Sequence, residues 1–167
     1  MADPEEYAGD DPTDPTGPTG REAGAPTDRE ADRAAVERVN AVFYEAFEAA
    51  DLDTMMDLWV DDTETLCVHP GALPLRGTAA INRSWALIMA NTPYIQFFLT
   101  DVQVSVLGDA ASVTCTENVL TAAGTVEPDS FAGTKAVATN VFARTSQGWR
   151  LWIHHASPVL SGLEDED

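Results

Sequence analysis

Basic residues are scarce in this chain. Its 167 residues include 9 Lys and Arg against 28 Asp and Glu, which gives a formal net charge of -19 at pH 7. Nucleic acids and anionic membrane surfaces are bound through clustered Lys and Arg. The composition therefore predicts neither a nucleic acid nor a membrane as a partner.

Long apolar runs and a secretory leader are also missing. No run approaches the ~20 apolar residues of a membrane-spanning helix. The acidic, Pro-rich beginning has neither the basic nor the apolar part of a signal peptide. The two cysteines, Cys67 and Cys115, lie inside apolar strand-like runs, where buried reduced thiols are the favoured interpretation. These observations predict a cytoplasmic protein.

Several catalytic motifs are absent as well. The chain has no Gly-rich phosphate loop, no nucleophile-elbow serine and no His-Glu-x-x-His zinc motif. A metal site built from His69, His154 or His155, and Glu117 or Cys67 is a minor alternative, because none of these residues has the tight spacing of a known metal motif. We therefore predict no metal.

The composition divides the chain into three regions. Residues 1–26 are rich in Pro, Gly and Asp and almost free of apolar side chains, so they are predicted to form a disordered acidic tail. Residues 27–160 carry the periodic apolar patterns of one folded domain. Residues 161–167 form a short acidic C-terminal tail.

The folded region opens with a helical pattern. Thr27 and Glu30 fit a capping box, which predicts a helix from about residue 28 to about residue 50. Asn40 is the polar member of its apolar stripe, and Tyr44 lies on the flank of that stripe.

Two further helices are predicted. The first is short, is capped by Asp53 and carries Trp59. The second runs from Gly77 to about Asn91 and carries Trp85. Both tryptophans are interpreted chiefly as core residues, although the wall of an apolar pocket uses the same residue type.

Strand-like runs make up the rest of the domain. Thr65 to His69 is a short β-prone run that stops at Pro70-Gly71. Four longer runs follow: Tyr94–Leu107, Ala111–Thr121, Lys135–Thr145 and Trp149–Val159. This order of elements predicts an α+β fold, in which a curved, mostly antiparallel sheet wraps around three helices and leaves a cavity.

Histidines are the strongest candidates for chemistry. His69 ends the short strand, and histidine is the side chain whose unperturbed pKa lies near neutrality. Simple alternation along the last strand places His155 on the same side as Trp149 and Leu151, and His154 on the opposite side. We therefore expect His69 and His155 to face the cavity, while a structural role for His69 at the turn stays open.

Polar residues in the middle of strands are the other candidates. Glu117 and Asn140 lie in strand centres, where burial without partners is costly. One face of each strand lines the cavity, so these side chains are expected to orient a ligand, with a solvated outer position as the alternative.

The order of several short motifs resembles one known family. The chain is similar to the SnoaL-like, ketosteroid-isomerase-like branch of the nuclear transport factor 2-like superfamily over about residues 28–160. The motifs that carry the resemblance are Ala50-Asp51-Leu52-Asp53, Cys67-Val68-His69-Pro70-Gly71, Leu75-Arg76-Gly77, Val113-Thr114-Cys115-Thr116-Glu117-Asn118, Ala138-Thr139-Asn140-Val141-Phe142 and His154-His155-Ala156-Ser157-Pro158.

The resemblance implies a cone-shaped fold that holds a small apolar molecule and often pairs through its outer sheet face. It implies no cofactor and general acid–base chemistry of the isomerase, lyase or cyclase type. With a short insertion around Thr63 to Thr65, His69 stands where ketosteroid isomerases carry their aspartate base. Their oxyanion tyrosine corresponds to a position at or next to Phe43, and Tyr44 is one place off. Catalysis would then use His69 and His155, and the ligand would contact Tyr44, Trp59, Trp85, Glu117 and Asn140. A non-catalytic dimerisation or ligand-sensing module is the alternative implied by the same family.

Overall fold

The computed structural model describes residues 26–122 and 131–160. The predicted tails therefore lie outside the described residues, apart from Pro26, which begins the first helix. Most of the predicted connection between residues 122 and 134 also lies outside them, and its last four residues belong to a strand.

The described chain is built from three helices and six strands. The helices are α1 (Pro26–Glu48), α2 (Leu52–Asp57) and α3 (Thr78–Asn91). The strands are β1 (Leu66–Val68), β2 (Leu75–Arg76), β3 (Ile95–Leu107), β4 (Ala110–Ala122), β5 (Phe131–Thr145) and β6 (Gly148–Pro158). The predicted order of elements is confirmed, and β2 is an addition that was not among the predicted strands.

All six strands belong to one open sheet. Their order is β2-β1-β6-β5-β4-β3, and the β1–β6 pair is parallel while the other pairs are antiparallel. The predicted α+β fold with a curved, mostly antiparallel sheet is confirmed. The parallel pairing brings the end of β1 beside the second half of β6.

The first two helices are joined by a tight turn. Ala50 has a φ of 52°, in the left-handed region, and the N–H of Asp51 donates to the Ala46 carbonyl at 2.9 Å. Asp51 then caps α2, because its Oδ1 accepts from the Thr54 N–H at 3.0 Å. The predicted cap, Asp53, lies inside α2, so that assignment was two residues too late.

The core lies between the helices and the inner face of the sheet. Its fully buried side chains include Val36, Phe43, Met55, Cys67, Ile81, Trp85, Val113, Phe142 and Leu151. Burying an aliphatic or aromatic side chain of this kind contributes about 1.5–3 kcal/mol. Because most neighbours on the inner face are apolar, a polar side chain is tolerated there only where another polar group can form a hydrogen bond with it.

A β-bulge interrupts the last hairpin. Val141 pairs with Ile153, but Phe142 pairs with Leu151, so Trp152 is an extra residue in β6. An extra residue reverses the alternation of side chains beyond it. Simple alternation therefore predicts the facing of side chains correctly before Trp152 and incorrectly after it.

The bulge decides which of the adjacent histidines is buried. His154 is 3% exposed and pairs with the buried Asn140, whereas His155 pairs with the exposed Thr139 and is itself exposed. The prediction that His155 faces the interior is wrong, because it assumed uninterrupted alternation. His154 is the histidine of β6 that lies inside the cone.

A polar cluster joins α1 to the sheet near the other end of β6. The Arg144 guanidinium donates two hydrogen bonds to the Asp32 carboxylate, at 2.8 and 2.6 Å, and lies 4.5 Å from the centre of the Trp149 ring. The Trp149 indole N–H donates to Asp32 at 3.2 Å. These contacts lower the pKa of Asp32 and fix α1 across the inner face of the sheet.

None of the helices within the described residues is both long and apolar enough to cross a membrane. No group of three or more His, Cys, Asp or Glu side chains in residues 26–122 and 131–160 is arranged to hold a metal ion.

Candidate functional site

His69 lies at the end of β1, where Pro70 and Gly71 stop the strand. Its Nε2 is 2.9 Å from the Ser84 hydroxyl oxygen of α3, and its ring packs edge-on against Trp85 with ring centres 4.8 Å apart. The ring is half-buried, and this burial lowers the pKa of His69 from its usual 6.5. At neutral pH the imidazole is therefore uncharged, which is the form that can accept a proton.

The Cys67 thiol also lies beside the His69 ring. Its sulfur lies 3.7 Å from His69 Nε2, but the side chain is completely buried. Burial raises the pKa of the Cys67 thiol to about 12. The thiol therefore stays protonated, and it acts as a small buried side chain rather than as a thiolate nucleophile.

His154 lies deeper in the cone. The centres of the His69 and His154 rings are 6.4 Å apart. His154 Nδ1 is 2.6 Å from Asn140 Oδ1, and Phe43 packs against the ring with centres 4.9 Å apart. Burial, together with repulsion from the neighbouring histidines, lowers the pKa of His154 to about 3. This ring is also neutral under ordinary conditions.

A chain of hydrogen bonds continues from Asn140 across the inner face. Asn140 Nδ2 donates to Asn40 Oδ1 at 2.8 Å and to the Tyr44 hydroxyl at 3.3 Å. The Tyr44 hydroxyl donates to Glu117 Oε1 at 2.7 Å, with the Cys115 sulfur 3.5 Å away. These residues come from α1, β4 and β5 and are all buried. Each of these polar side chains has a hydrogen-bond partner in the chain, which is the condition for burying polar groups in a core.

Burial sets the ionisation behaviour of this chain. It raises the pKa of the Glu117 carboxyl, and the hydrogen bond from Tyr44 opposes that effect. Burial and the nearby carboxyl both raise the pKa of Tyr44, so its hydroxyl stays protonated. The interior therefore offers neutral donors and acceptors, together with Glu117, which is the one carboxyl group among the buried side chains of the described residues.

Aromatic side chains surround the histidines. Trp85 packs against Phe47 at 4.9 Å and against Phe43 at 5.5 Å between ring centres, and Phe97 contacts both Phe47 and Tyr44. In the described part of the chain, two buried side-chain nitrogens have no hydrogen-bond partner, Trp85 Nε1 and Trp59 Nε1. Such groups are costly unless an acceptor reaches them.

The structure brings most of the predicted site residues together. His69 and Trp85 are in contact, and Tyr44, Asn140 and Glu117 form one hydrogen-bonded chain. Two predicted residues lie apart from them. His155 is on the outer face, and Trp59 is a core residue that pairs with Leu151 of β6 through an isolated bridge.

Three residues of the site were not predicted to belong to it. Ser84 follows Ile81 and precedes Trp85 on one face of α3, so helical spacing carried a usable signal. Asn40 was recognised as the polar member of an apolar stripe, but no partner for it was identified. His154 had no local signal, because its orientation depends on a bulge that the sequence does not mark.

A separate groove lies on the outer side of the sheet, away from His69 and His154. It has a volume of about 640 Å³, and its lining includes Phe98, Leu120, Lys135 and Val159. Exposed apolar side chains continue across this face: Phe98, Val137 and Trp152 are 54%, 47% and 39% exposed. Apolar exposure of this extent is typical of interaction surfaces.

Comparison with known families and structures identifies the fold class independently. A family model described as a SnoaL-like domain matches residues 36–161. A proposed dehydratase of the nuclear transport factor 2-like family from Streptomyces avermitilis is 50% identical, with a TM-score of 0.72, and the match covers 79% of this chain and 99% of that chain. A search among curated proteins found no match.

Two other solved structures are informative. A proposed calcium/calmodulin-dependent protein kinase type II association domain from Thiobacillus denitrificans is 34% identical, with a TM-score of 0.65 and coverage of 74% of this chain and 94% of that one. A proposed scytalone dehydratase from Novosphingobium aromaticivorans has a TM-score of 0.69 at 10% identity, covering 80% and 89% of the two chains, so it shows the fold alone. The chain belongs to the SnoaL-like family of the nuclear transport factor 2-like superfamily.

Proposed function

We propose that the cone binds a small, largely apolar carbonyl compound and converts it by cofactor-independent acid–base chemistry, with dehydration as the favoured reaction. The observation that carries this proposal is the neutral His69, held by Ser84 at 2.9 Å and lying 6.4 Å between ring centres from a second neutral imidazole, His154. The 50% identity to a proposed dehydratase favours a lyase over an isomerase or a cyclase.

In this reaction His69 is the catalytic base. With Nε2–H donated to the Ser84 oxygen, Nδ1 carries the lone pair of the ring. Nδ1 takes a proton from the carbon beside the carbonyl group, and the electron pair of that C–H bond forms the new double bond. The neighbouring C–O bond breaks, and the imidazolium returns its proton to the departing hydroxyl, which leaves as water. Proton transfer by a positioned histidine contributes typically about 10²–10⁴-fold to a rate.

The other side chains bind and orient the substrate. The unpartnered indole N–H of Trp85 donates to the carbonyl oxygen, whose negative charge grows as the proton is removed. His154 takes the second polar position that the sequence had assigned to His155, while Tyr44, Asn140 and Glu117 hold it in place. Phe43 supplies part of the apolar wall.

Binding can be tested before turnover is known. In a ¹⁵N-labelled sample, we expect a panel of apolar β-hydroxy ketones to shift the ring resonances of His69 and the indole N–H resonance of Trp85. Trp59 is the matched control, because its indole N–H is also buried and unpartnered but belongs to the core beside β6. If no compound moves His69 and Trp85, or if Trp59 responds equally, the proposed site is wrong.

The second candidate is a self-association module of the same fold. The exposed apolar side chains of the outer sheet face favour it, and so does the 34% identity to a proposed association domain. A homodimer formed through this face covers Phe98, Val137 and Trp152. The two candidates are compatible, because they use opposite faces of the sheet.

A further inference from the structure

The buried chain that ends at His154 has a direction. His154 Nδ1 lies 2.6 Å from Asn140 Oδ1, Asn140 Nδ2 donates to the Tyr44 oxygen at 3.3 Å, and the Tyr44 hydroxyl donates to Glu117 Oε1 at 2.7 Å. The last two bonds both point toward the carboxyl group. All four side chains are at most 4% exposed, so solvent has little access to them as a competing partner.

Glu117 fixes the direction of this chain in its ionised form. Burial raises the pKa of the carboxyl, and the hydrogen bond from Tyr44 opposes that effect by favouring ionisation. An ionised Glu117 has no hydrogen to donate, so the Tyr44 hydroxyl must donate to it. The lone pairs of the Tyr44 oxygen then face Asn140, which turns its Nδ2 toward Tyr44 and its Oδ1 toward His154. A carbonyl oxygen 2.6 Å from Nδ1 requires a hydrogen on Nδ1.

The remaining members do not fix this direction by themselves. A hydroxyl donates or accepts, and a carboxamide can present either end to a neighbour. Asn40 accepts from Asn140 Nδ2 at 2.8 Å, but it too has both an oxygen and an amino group to offer. Without the carboxylate, Tyr44 can donate to Asn140, Asn140 can donate to Nδ1, and the hydrogen on His154 then moves to Nε2.

We propose that ionised Glu117 is a positioning residue that acts through Tyr44 and Asn140 to hold His154 in its Nδ1–H tautomer, with a lone pair on Nε2. The inference rests on the proposed function, in which His154 contacts the ligand. An Nε2 lone pair accepts a hydrogen bond from a ligand hydroxyl, whereas the other tautomer donates one. Glu117 therefore selects which kind of group His154 binds, without contacting the ligand itself.

The tautomer can be measured directly by long-range ¹H–¹⁵N correlation spectra of the histidine rings in the full chain without ligand. In the unmodified protein we expect His154 to carry its hydrogen on Nδ1. Tyr44→Phe keeps the ring and removes the hydroxyl link, and Glu117→Leu removes the acceptor. Loss of one hydrogen bond worth about 1 kcal/mol corresponds to a decrease of about fivefold in the ratio of Nδ1–H to Nε2–H forms in either variant.

Cys115→Ala is the matched control. It removes a buried group 3.5 Å from the same Tyr44 hydroxyl but leaves the chain to Glu117 intact, so the tautomer is expected to stay unchanged. Glu117→Leu removes a carboxyl that is costly to bury, which favours folding of this variant. Thermal melts monitored by circular dichroism confirm that each variant is folded before its spectra are compared.

Two results would overturn the proposal. One is a hydrogen on Nε2 in the unmodified protein; the other is an unchanged tautomer ratio in both folded variants. Because these spectra need no ligand, they fail or succeed independently of the binding experiment with β-hydroxy ketones. A protein that binds no ketone but shows the tautomer change contradicts the proposed function and not the role of Glu117.

Discussion

Single residues determine the properties of the cone interior, and His154 shows how burial changes a titratable side chain there. Its imidazole is 3% exposed, and burial lowers its pKa from the usual 6.5 to about 3. Between about pH 3 and about pH 6.5, His154 is therefore protonated in the unfolded chain but neutral in the folded chain. Between these two pKa values, the free energy of unfolding falls as the pH falls. Above about pH 6.5 the ring is neutral in both states, so this loss of stability is absent.

This difference leads to a prediction about acid stability. His154 is expected to reduce the free energy of unfolding by about 1.4 kcal/mol for each pH unit below about 6.5. In His154→Gln that part of the slope is lost, whereas the exposed His155→Gln keeps it. Urea unfolding followed between about pH 7 and about pH 4 measures both slopes. Equal slopes for His154→Gln and the unmodified protein would show that the buried ring is charged when folded.

The residues of the candidate site show which side-chain positions could be predicted from the sequence. His69 was predicted because it ends an apolar strand at a Pro-Gly break, and Glu117 and Asn140 because they are polar residues within apolar strands. Tyr44 was predicted only through the family resemblance. Which of His154 and His155 points inward depends on one extra residue in β6. A bulge is decided by the packing of the whole hairpin rather than by the residues beside it.

Elements were easier to predict than side-chain orientations. Apolar periodicity located all three helices and five of the six strands, because burial against a common core imposes that periodicity. β2 has two residues, too few for any pattern, and it exists because β1 offers an edge to pair with. Helix ends shifted by a few residues, as at Asp51, because several nearby side chains can serve as caps.

The outer face of the sheet supports a prediction about assembly. Val137 lies on β5 within the exposed apolar face, and a charge there would be buried by a partner subunit. We expect the unmodified chain to have the mass of a dimer in sedimentation experiments and Val137→Glu to have the mass of a monomer. Ala90→Glu, on the exposed side of α3, is the control and is expected to stay dimeric. A monomeric unmodified protein, or a dimeric Val137→Glu variant, would rule out this interface.

At the scale of the whole molecule, the sheet separates two surfaces with different properties. The inner surface combines aromatic walls with two neutral histidines and a satisfied chain of polar groups. The outer surface exposes apolar side chains, among them Phe98, Val137 and Trp152. Family membership accounts for the fold, whereas function depends on the particular side chains that each member places inside the cone.

The comparison of His69 with His155 tests the central claim of acid–base catalysis most directly. Turnover of a β-hydroxy ketone that binds the cone is measured for the unmodified protein, for His69→Asn and for His155→Asn. Loss of a positioned base predicts a decrease in kcat of about 10²-fold or more for His69→Asn, and the exposed His155→Asn is expected to match the unmodified protein. If His69→Asn keeps the full rate while it folds and binds the ketone, His69 is not the base and the proposed chemistry is contradicted.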